Sequence, residues 1–293
     1  MQKPKPKLTL SKAKPNPWAG TSKRPSKERP KAKTPAKERP EPKAPAKERR
    51  EIKYHGTAAC LALWQQRPDD VIRIYLEEAN IPKFAAMLKW AAEQRKAYHV
   101  VTREDLERLT ETEHHQGICL LAREKPSVTF MAMLQKLRRE ARPHQLIYLD
   151  GVENPHNLGA ILRSCAHFGV PYVLGAGGRL PQLSPSACRI AEGAAEHVDL
   201  VYLNEPHAQL VALKKAGYEI IATRAREADP VYQHRFKPRS VLVLGAEVEG
   251  VSARLLNEAD AVLGIPGSGV MDSLNVSVAG AILMSEFFRR HRT

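Results

Sequence analysis

Val241-Leu242-Val243-Leu244-Gly245-Ala246-Glu247-Val248-Glu249-Gly250 is a short apolar run that empties into a glycine loop. A second run, 261–265, ends the same way on Pro266-Gly267-Ser268-Gly269. Ser273-Leu274-Asn275-Val276-Ser277-Val278-Ala279 then leads into a segment of helical periodicity. Strands that are apolar throughout are buried on both faces, and the loops at their carboxyl ends are where α/β proteins build sites for polar ligands.

The same alternation extends upstream. Apolar runs at 146–149, 170–174, 198–203 and 218–223 are separated by helical patterns at 158–168, 186–196 and 207–216, and 275–290 closes the chain as a helix. Asn157 is a good N-cap for 158–168, and Gly169 stands where a helix C-terminus favours glycine. The pattern predicts an α/β fold whose parallel sheet is covered on both faces. Residues 51–125 read as a smaller α/β module, with helices at 57–65, 81–93 and 103–109 and strands at Val71–Leu76, 99–101 and 118–122. Thr102 caps the third of these helices, with Glu104 and Asp105 in its first turn where the helix dipole favours them. Between the two modules, 126–143 contains a basic amphipathic helix with Phe130, Leu134 and Leu137 opposite Lys136, Arg138 and Arg139. A solvated surface helix is as good a reading of it as a nucleic-acid contact.

Charge is segregated along the chain. Residues 1–50 hold 17 Lys+Arg against four Glu; the whole chain holds 46 against 32, which leaves 29 against 28 for residues 51–293. The excess therefore belongs to a Lys/Pro-rich tail that repeats Lys-Glu-Arg units and has almost nothing apolar to bury, so it is expected to be disordered. A polybasic segment beside a near-neutral body points to a polyanionic partner. Trp18, the one aromatic of the tail, could stack on a base. Cys60, Cys119, Cys165 and Cys188 are scattered with no C-x-x-C pair, which fits reduced thiols better than a disulfide frame or a zinc site. No apolar stretch approaches the ~18 residues of a membrane span, and the N-terminus lacks a signal-peptide core. The cytoplasm is the expected compartment, with no membrane and no metal among the expected partners.

Gly175-Ala176-Gly177-Gly178 lacks the third glycine and the acidic residue of a dinucleotide fingerprint, and reads as a plain loop. Phosphate-loop, zinc-protease and serine-hydrolase signatures are absent. Asn154-Pro155-His156-Asn157-Leu158-Gly159-Ala160-Ile161-Leu162-Arg163-Ser164 is more informative. Gly159 removes a side chain where a ligand could approach free helix N–H groups, and Arg163, one turn on, shares its face and could fork onto a phosphate. A surface ion pair is an equally good reading of Arg163 alone. Glu247, Ser273 and Asn275 each admit a purely structural reading as well. Taken together, Asn157/Arg163, Gly245/Glu247 and Ser273/Asn275 all fall at strand-to-helix junctions on one edge of the expected sheet.

Three stretches, 150–164, 244–250 and 265–279, resemble in order the three motifs of the SpoU (TrmH) family of RNA 2′-O-ribose methyltransferases, in the SPOUT superfamily. Residues 51–125 are similar to that family's ribosomal-protein-like substrate-binding domain, with His115-Gln116-Gly117 as its mark. The resemblance implies a methyltransferase domain over 144–293 with a deep trefoil knot, a linker helix in 126–143, and a homodimer. It also implies S-adenosyl-L-methionine bound at Gly245, Ile265 and Leu274. Arg163 matches the family's catalytic arginine, and Asn157, Glu247, Ser273 and Asn275 match its other motif polar residues. The expected activity is methyl transfer to a ribose 2′-hydroxyl of rRNA or tRNA. The alternatives are a non-catalytic RNA-binding protein that keeps the fold, and an open-sheet methyltransferase acting on protein or small molecules. Asp272 places a carboxylate beside Ser273, where it could pair with Arg163, meet the cofactor amine or face solvent.

Overall fold

The computed structural model of the chain describes residues 49–291. The expected disordered tail, Trp18 included, lies outside them except for Arg49 and Arg50.

Two sheets organise the described residues. The first is built from β1 (Glu51–His55), β2 (Val71–Leu76), β3 (Ala97–Val100) and β4 (Ile118–Arg123), in the spatial order β1-β4-β2-β3. β4 runs antiparallel to both β1 and β2, and β3 runs parallel to β2. Helices α1 (Thr57–Gln66), α2 (Ala85–Glu93) and α3 (Arg103–Thr110) accompany it. Thr102 caps α3 as expected, and with Asp105 it closes a capping box. β1 is a strand the apolar runs do not reveal; its signal is only the alternation that buries Ile52 and Tyr54.

The second sheet is wholly parallel. Its strands are β5 (His144–Asp150), β6 (Tyr172–Ala176), β7 (Asp199–Leu203), β8 (Glu219–Thr223), β9 (Asp229–Pro230), β10 (Arg239–Gly245) and β11 (Ala261–Gly264). Their spatial order is β7-β6-β5-β10-β8-β11-β9. Strand residues alternate between two buried layers. Ile147, Leu149, Val173, Leu242 and Leu244 face α5 (Pro155–Phe168) and the closing helix α9 (Val276–His291). Leu146, Tyr148, Leu174, Val241 and Val243 face α4 (Phe130–Arg138), α7 (Pro206–Lys215) and α8 (Ala253–Glu258). Burial on both faces is why the central residues of these strands are apolar in unbroken runs. Phe130, Met133, Leu134 and Leu137 of the connecting helix α4 are buried in the second layer, so that helix covers the sheet as well as linking the modules.

The expected helix over 186–196 is broken. α6 (Pro185–Ile190) stops, Glu192 and Gly193 take positive φ (47° and 88°), and a 3₁₀ turn follows at Ala194–Glu196. The break is where the two modules meet. A Cβ on Gly193 would lie 2.6 Å from Ala62 Cβ and 3.1 Å from the Ala58 carbonyl, so only glycine lets α1 approach this closely. Arg67, at the end of α1, reaches across to Glu196 with contacts of 2.7 and 3.1 Å. It also donates to Asp70 Oδ2 at 3.0 Å and to the Tyr54 hydroxyl at 2.9 Å. Lys125 satisfies the carbonyls of Ala195, Glu196 and Val198 and pairs with Asp199 at 2.8 Å. One apolar cluster runs without a break from Ile52 and Leu63 through Ala194 and Ala195 to Leu158 and Phe287.

The four cysteines are free and buried, as their spacing suggests. Among the described residues no helix is long and apolar enough to cross a membrane.

Candidate active site

α5 starts three residues earlier than its composition indicates, and the cap is Asn154 and not Asn157. Asn154 Oδ1 accepts the His156 N–H at 2.8 Å, and Pro155 occupies the first helical position. That correction releases Asn157, buried inside the first turn, for another task.

Asn157 Nδ2 donates to Glu247 Oε1 at 2.6 Å. Asn275 Nδ2 donates both to Asn157 Oδ1 and to Glu247 Oε1, each at 3.1 Å. Asn275 meanwhile caps α9, its Oδ1 accepting the Ser277 N–H at 2.9 Å and the Ser277 hydroxyl at 2.6 Å. An N–H can only donate, so the cap turns the Asn275 oxygen toward α9 and its amide nitrogen toward the other two residues. Asn157 must then accept from Asn275 and donate to Glu247. The polarity of the group is fixed throughout, with the Glu247 carboxylate as its final acceptor. Three segments far apart in sequence, 157, 247 and 275, are locked into one cluster at the carboxyl ends of the strands.

The loop carrying Glu247 is folded tightly back over its strand. Ala246 and Gly250 form a bridge, and the Gly250 N–H donates to the Ala246 carbonyl at 3.0 Å. Asp150 Oδ2, at the end of β5, accepts the Ser252 N–H at 2.8 Å and anchors the loop's far side. A Cβ on Gly245 would lie 2.0 Å from the Gly250 carbonyl carbon and 2.1 Å from the Val251 nitrogen. Glycine at 245 is therefore obligatory for this turn. The other loop, from Ile265 to Leu274, presents Val270, Met271 and Leu274 to solvent, and Val248 does so from the first. Ile265 is half-buried, packed against the apolar core. Closely turned backbone flanked by exposed apolar side chains is a suitable cradle for a ligand that combines a flat heterocycle with a polar chain.

Arg163 stands outside the Asn157–Glu247–Asn275 cluster. It lies six residues along α5 from Asn157, about 9 Å of helix rise, and its guanidinium pairs with Glu192 at 2.9 Å. Both side chains are more than half exposed. Ser273 is exposed, and its side chain makes no hydrogen bond among the described residues. Asp272 does not meet Arg163; it pairs with Arg226, from the loop after β8, at the surface. Gly159 serves packing and not ligand approach, since a Cβ there would lie 2.7 Å from the Ala187 carbonyl and 2.9 Å from Ile190 Cβ of α6. Sequence reasoning missed Glu192 as the partner of Arg163, and missed Asp150 and Ser277 as supports. Of these only Ser277 left a local trace, in the Asn-x-Ser spacing of a capped helix start.

Residues 144–285 match the SpoU rRNA Methylase family, and residues 55–128 match RNA 2′-O ribose methyltransferase substrate binding. The chain is 35% identical over 242 residues to the uncharacterized tRNA/rRNA methyltransferase YfiF of Escherichia coli O157:H7, covering 83% of this chain and 69% of that protein. It is 34% identical over 239 residues to the 23S rRNA (guanosine-2′-O-)-methyltransferase RlmB of Nitrosomonas europaea, covering 80% and 90%. In fold it is similar to the SpoU methyltransferase AviRb of Streptomyces viridochromogenes, solved in complex with AdoMet. That likeness has a TM-score of 0.67 at 19% identity, over 82% of this chain and 90% of that one.

Proposed function

The chain belongs to the SpoU rRNA Methylase family, and from that membership we propose that it moves a methyl group from S-adenosyl-L-methionine to a ribose 2′-hydroxyl of rRNA or tRNA. It is an RNA (ribose-2′-O-)-methyltransferase with S-adenosyl-L-methionine as its methyl donor. The observation that carries the reading is the convergence of Asn157, Glu247 and Asn275 from three separate motifs into one hydrogen-bonded cluster beside the Gly245 turn.

The proposed donor site is the backbone of Gly245, Ile265 and Leu274. Its support is the turn at Gly245, which leaves no room for a side chain, and the exposed apolar rim of Val248, Met271 and Leu274. S-adenosylmethionine, when bound, supplies an electrophilic methyl group on a sulfonium. The chain's own residues have the task of alignment, because in-line displacement by a hydroxyl is governed by placement of the attacking oxygen. Asn157, Glu247 and Asn275 hold the two loops in register. Arg163 and Ser273 are exposed and can face RNA. A guanidinium stays protonated at any working pH and is not a base. We assign Arg163 the role of orienting the 2′-hydroxyl and the neighbouring phosphate, with Ser273 on that phosphate. To do so Arg163 must leave Glu192.

The finer organisation is proposed on the same footing. Residues 51–125 would present RNA, 144–293 would carry the chemistry with 126–143 between them, and the basic tail would add phosphate contacts. A trefoil knot is supported by the strand order, in which β10 returns to fill the place left between β5 and β8 before β11 passes to the far side of β8. A homodimer through α9 is supported by the outward face of that helix, where Val278 is exposed and Ala281 and Ile282 line a groove. The cytoplasm is the proposed compartment. Calorimetric titration with S-adenosylmethionine tests the reading. Saturable binding by the wild-type chain and by Arg163→Ala, with methyl transfer lost only in the variant, supports it. A chain that binds RNA and ignores the donor would be the non-catalytic alternative.

A further inference from the structure

A cavity of about 310 Å³ opens where the two modules meet, lined among others by Glu77, Arg103, Glu113, His114, His115 and Arg189. Its size is at the lower end of small-ligand sites and suits a nucleobase. Arg189 comes from α6 of the second module, and the other five come from the first.

Two donors at this seam have no acceptor among the described residues. The Arg189 side chain is half-buried, and among the described residues its guanidinium makes no hydrogen bond or ion pair. Its stem packs against Gly56, where a Cβ would be 3.4 Å from Arg189 Cγ. Partial desolvation of a group with five N–H donors is costly unless something accepts from it. His115 is buried, and its Nδ1 accepts the Gly117 N–H at 3.0 Å, which fixes the tautomer with the proton on Nε2. That Nε2–H has no partner among the described residues. Neighbouring His55 is held neutral, its pKa pushed down to about 4 by burial first, then by the charge of Arg189 and by His115.

Two carboxylates share the lining with these donors. Glu113 is exposed, and among the described residues its carboxylate makes no hydrogen bond or ion pair; Glu77, half-buried, also lines the cavity, its Oε1 3.9 Å from His115 Nδ1. A bare phosphate would meet these two carboxylates as well as the cations. A ligand with an acceptor edge next to a donor edge would satisfy both. Among the bases only guanine presents O6 and N7 as an acceptor pair for a guanidinium, together with N1–H and N2–H₂ as adjacent donors for one carboxylate. The place fits the chemistry proposed above. Arg189 lies one helical turn before Glu192, which holds Arg163. The two walls are kept in register by Arg67–Glu196 and by Lys125.

We propose that this cavity is a base-recognition subsite that takes an unpaired guanine of the RNA substrate, Arg189 reading its O6/N7 edge and Glu113 its N1/N2 edge. The proposal rests on the reading that RNA is the substrate and deepens it by naming a base.

The test is binding of 5′-GMP, 5′-IMP, 5′-AMP and inorganic phosphate to the full chain, followed by NMR or calorimetry with no methyl donor present. GMP should saturate, and should bind ~tenfold more tightly than AMP, the order expected for loss of a charge-assisted hydrogen bond. IMP, which lacks the N2 amine, should fall between them, and phosphate should not displace GMP. Arg189→Ala should weaken GMP at least ~tenfold while leaving S-adenosylmethionine binding unchanged, and Arg189→Lys should recover part of the loss. Glu113→Gln should narrow the gap between GMP and IMP. Equal binding of GMP and AMP, displacement of GMP by phosphate, or wild-type GMP affinity in Arg189→Ala would overturn the proposal. Failure of the methyltransferase reading would show instead as absent S-adenosylmethionine binding by the wild-type chain, a titration separate from those with the mononucleotides.

Discussion

Glu192 and Glu196 stand four residues apart on the broken end of α6, and each holds an arginine from another helix. The two pairs have contacts of 2.7 and 2.9 Å and are alike in geometry. They differ in burial. Arg67 and Glu196 are 12% and 4% exposed, whereas Arg163 and Glu192 are 59% and 51% exposed. A buried pair cannot lose one partner without stranding a charge, so it acts as structure. An exposed pair is screened and contributes little. Arg67 is therefore a strut between the modules, whereas Arg163 is an exposed side chain that, in the role proposed for it, exchanges Glu192 for an RNA phosphate.

The largest expected effect separates these roles by chemistry. Arg163→Ala should reduce methyl transfer by ~10³-fold or more, roughly 4 kcal/mol of transition-state stabilisation. Its urea midpoint and its affinity for S-adenosylmethionine should stay at wild-type values. A matching loss of stability would move Arg163 into the structural class.

Next in size is Glu196→Ala. It leaves Arg67 buried with Asp70 and Tyr54 as its remaining partners, so the loss should be near the low end for a broken buried pair, about 3 kcal/mol in chemical denaturation. A change below about 1 kcal/mol would mean that the seam is held by apolar contacts alone.

Acid should also find the seam before the site. His55 is 3% exposed with a pKa near 4, against about 6.5 in an unfolded chain. The unfolded state therefore takes up the proton first. The stabilising effect of a neutral His55 is complete above the unfolded value and is lost as pH falls toward the folded one. Between about pH 7 and pH 5 this amounts to about 2 kcal/mol. His55→Gln should flatten the pH dependence of the denaturation midpoint over that range; an unchanged slope would place the titration elsewhere.

The smallest effect belongs to Glu192→Gln. Stability should change by less than about 0.5 kcal/mol, and RNA affinity should hold or rise, because Arg163 no longer has a competing carboxylate. Weaker RNA binding would show that Glu192 supports Arg163 and does not merely occupy it.

The part of this design that was legible in the chain is the part written in short range. Apolar runs that empty into glycine loops revealed the parallel sheet, and the polar residues at those loop ends included Asn157, Glu247 and Asn275. What was not legible depended on partners far away in sequence. Asn154 and Asn157 are both good caps, and only the contact with Glu247, 90 residues on, decides which of them is free. Arg67 follows a helix with no periodic mark, and its burial depends on a glutamate 129 residues away. Gly159 suggests ligand approach until α6 is seen pressed against it. The break at Glu192–Gly193 lies inside a helical pattern, and the reason for it is the approach of α1 from the other module.

Nucleoside mass spectrometry after methyl transfer tests the account most directly. The purified chain is incubated with isotopically labelled S-adenosylmethionine and RNA from cells lacking its gene, and the RNA is then digested to nucleosides. The account predicts label in one 2′-O-methylated nucleoside, abolished by Arg163→Ala and preserved in Glu192→Gln. Label on a base, or transfer that survives Arg163→Ala, would contradict it.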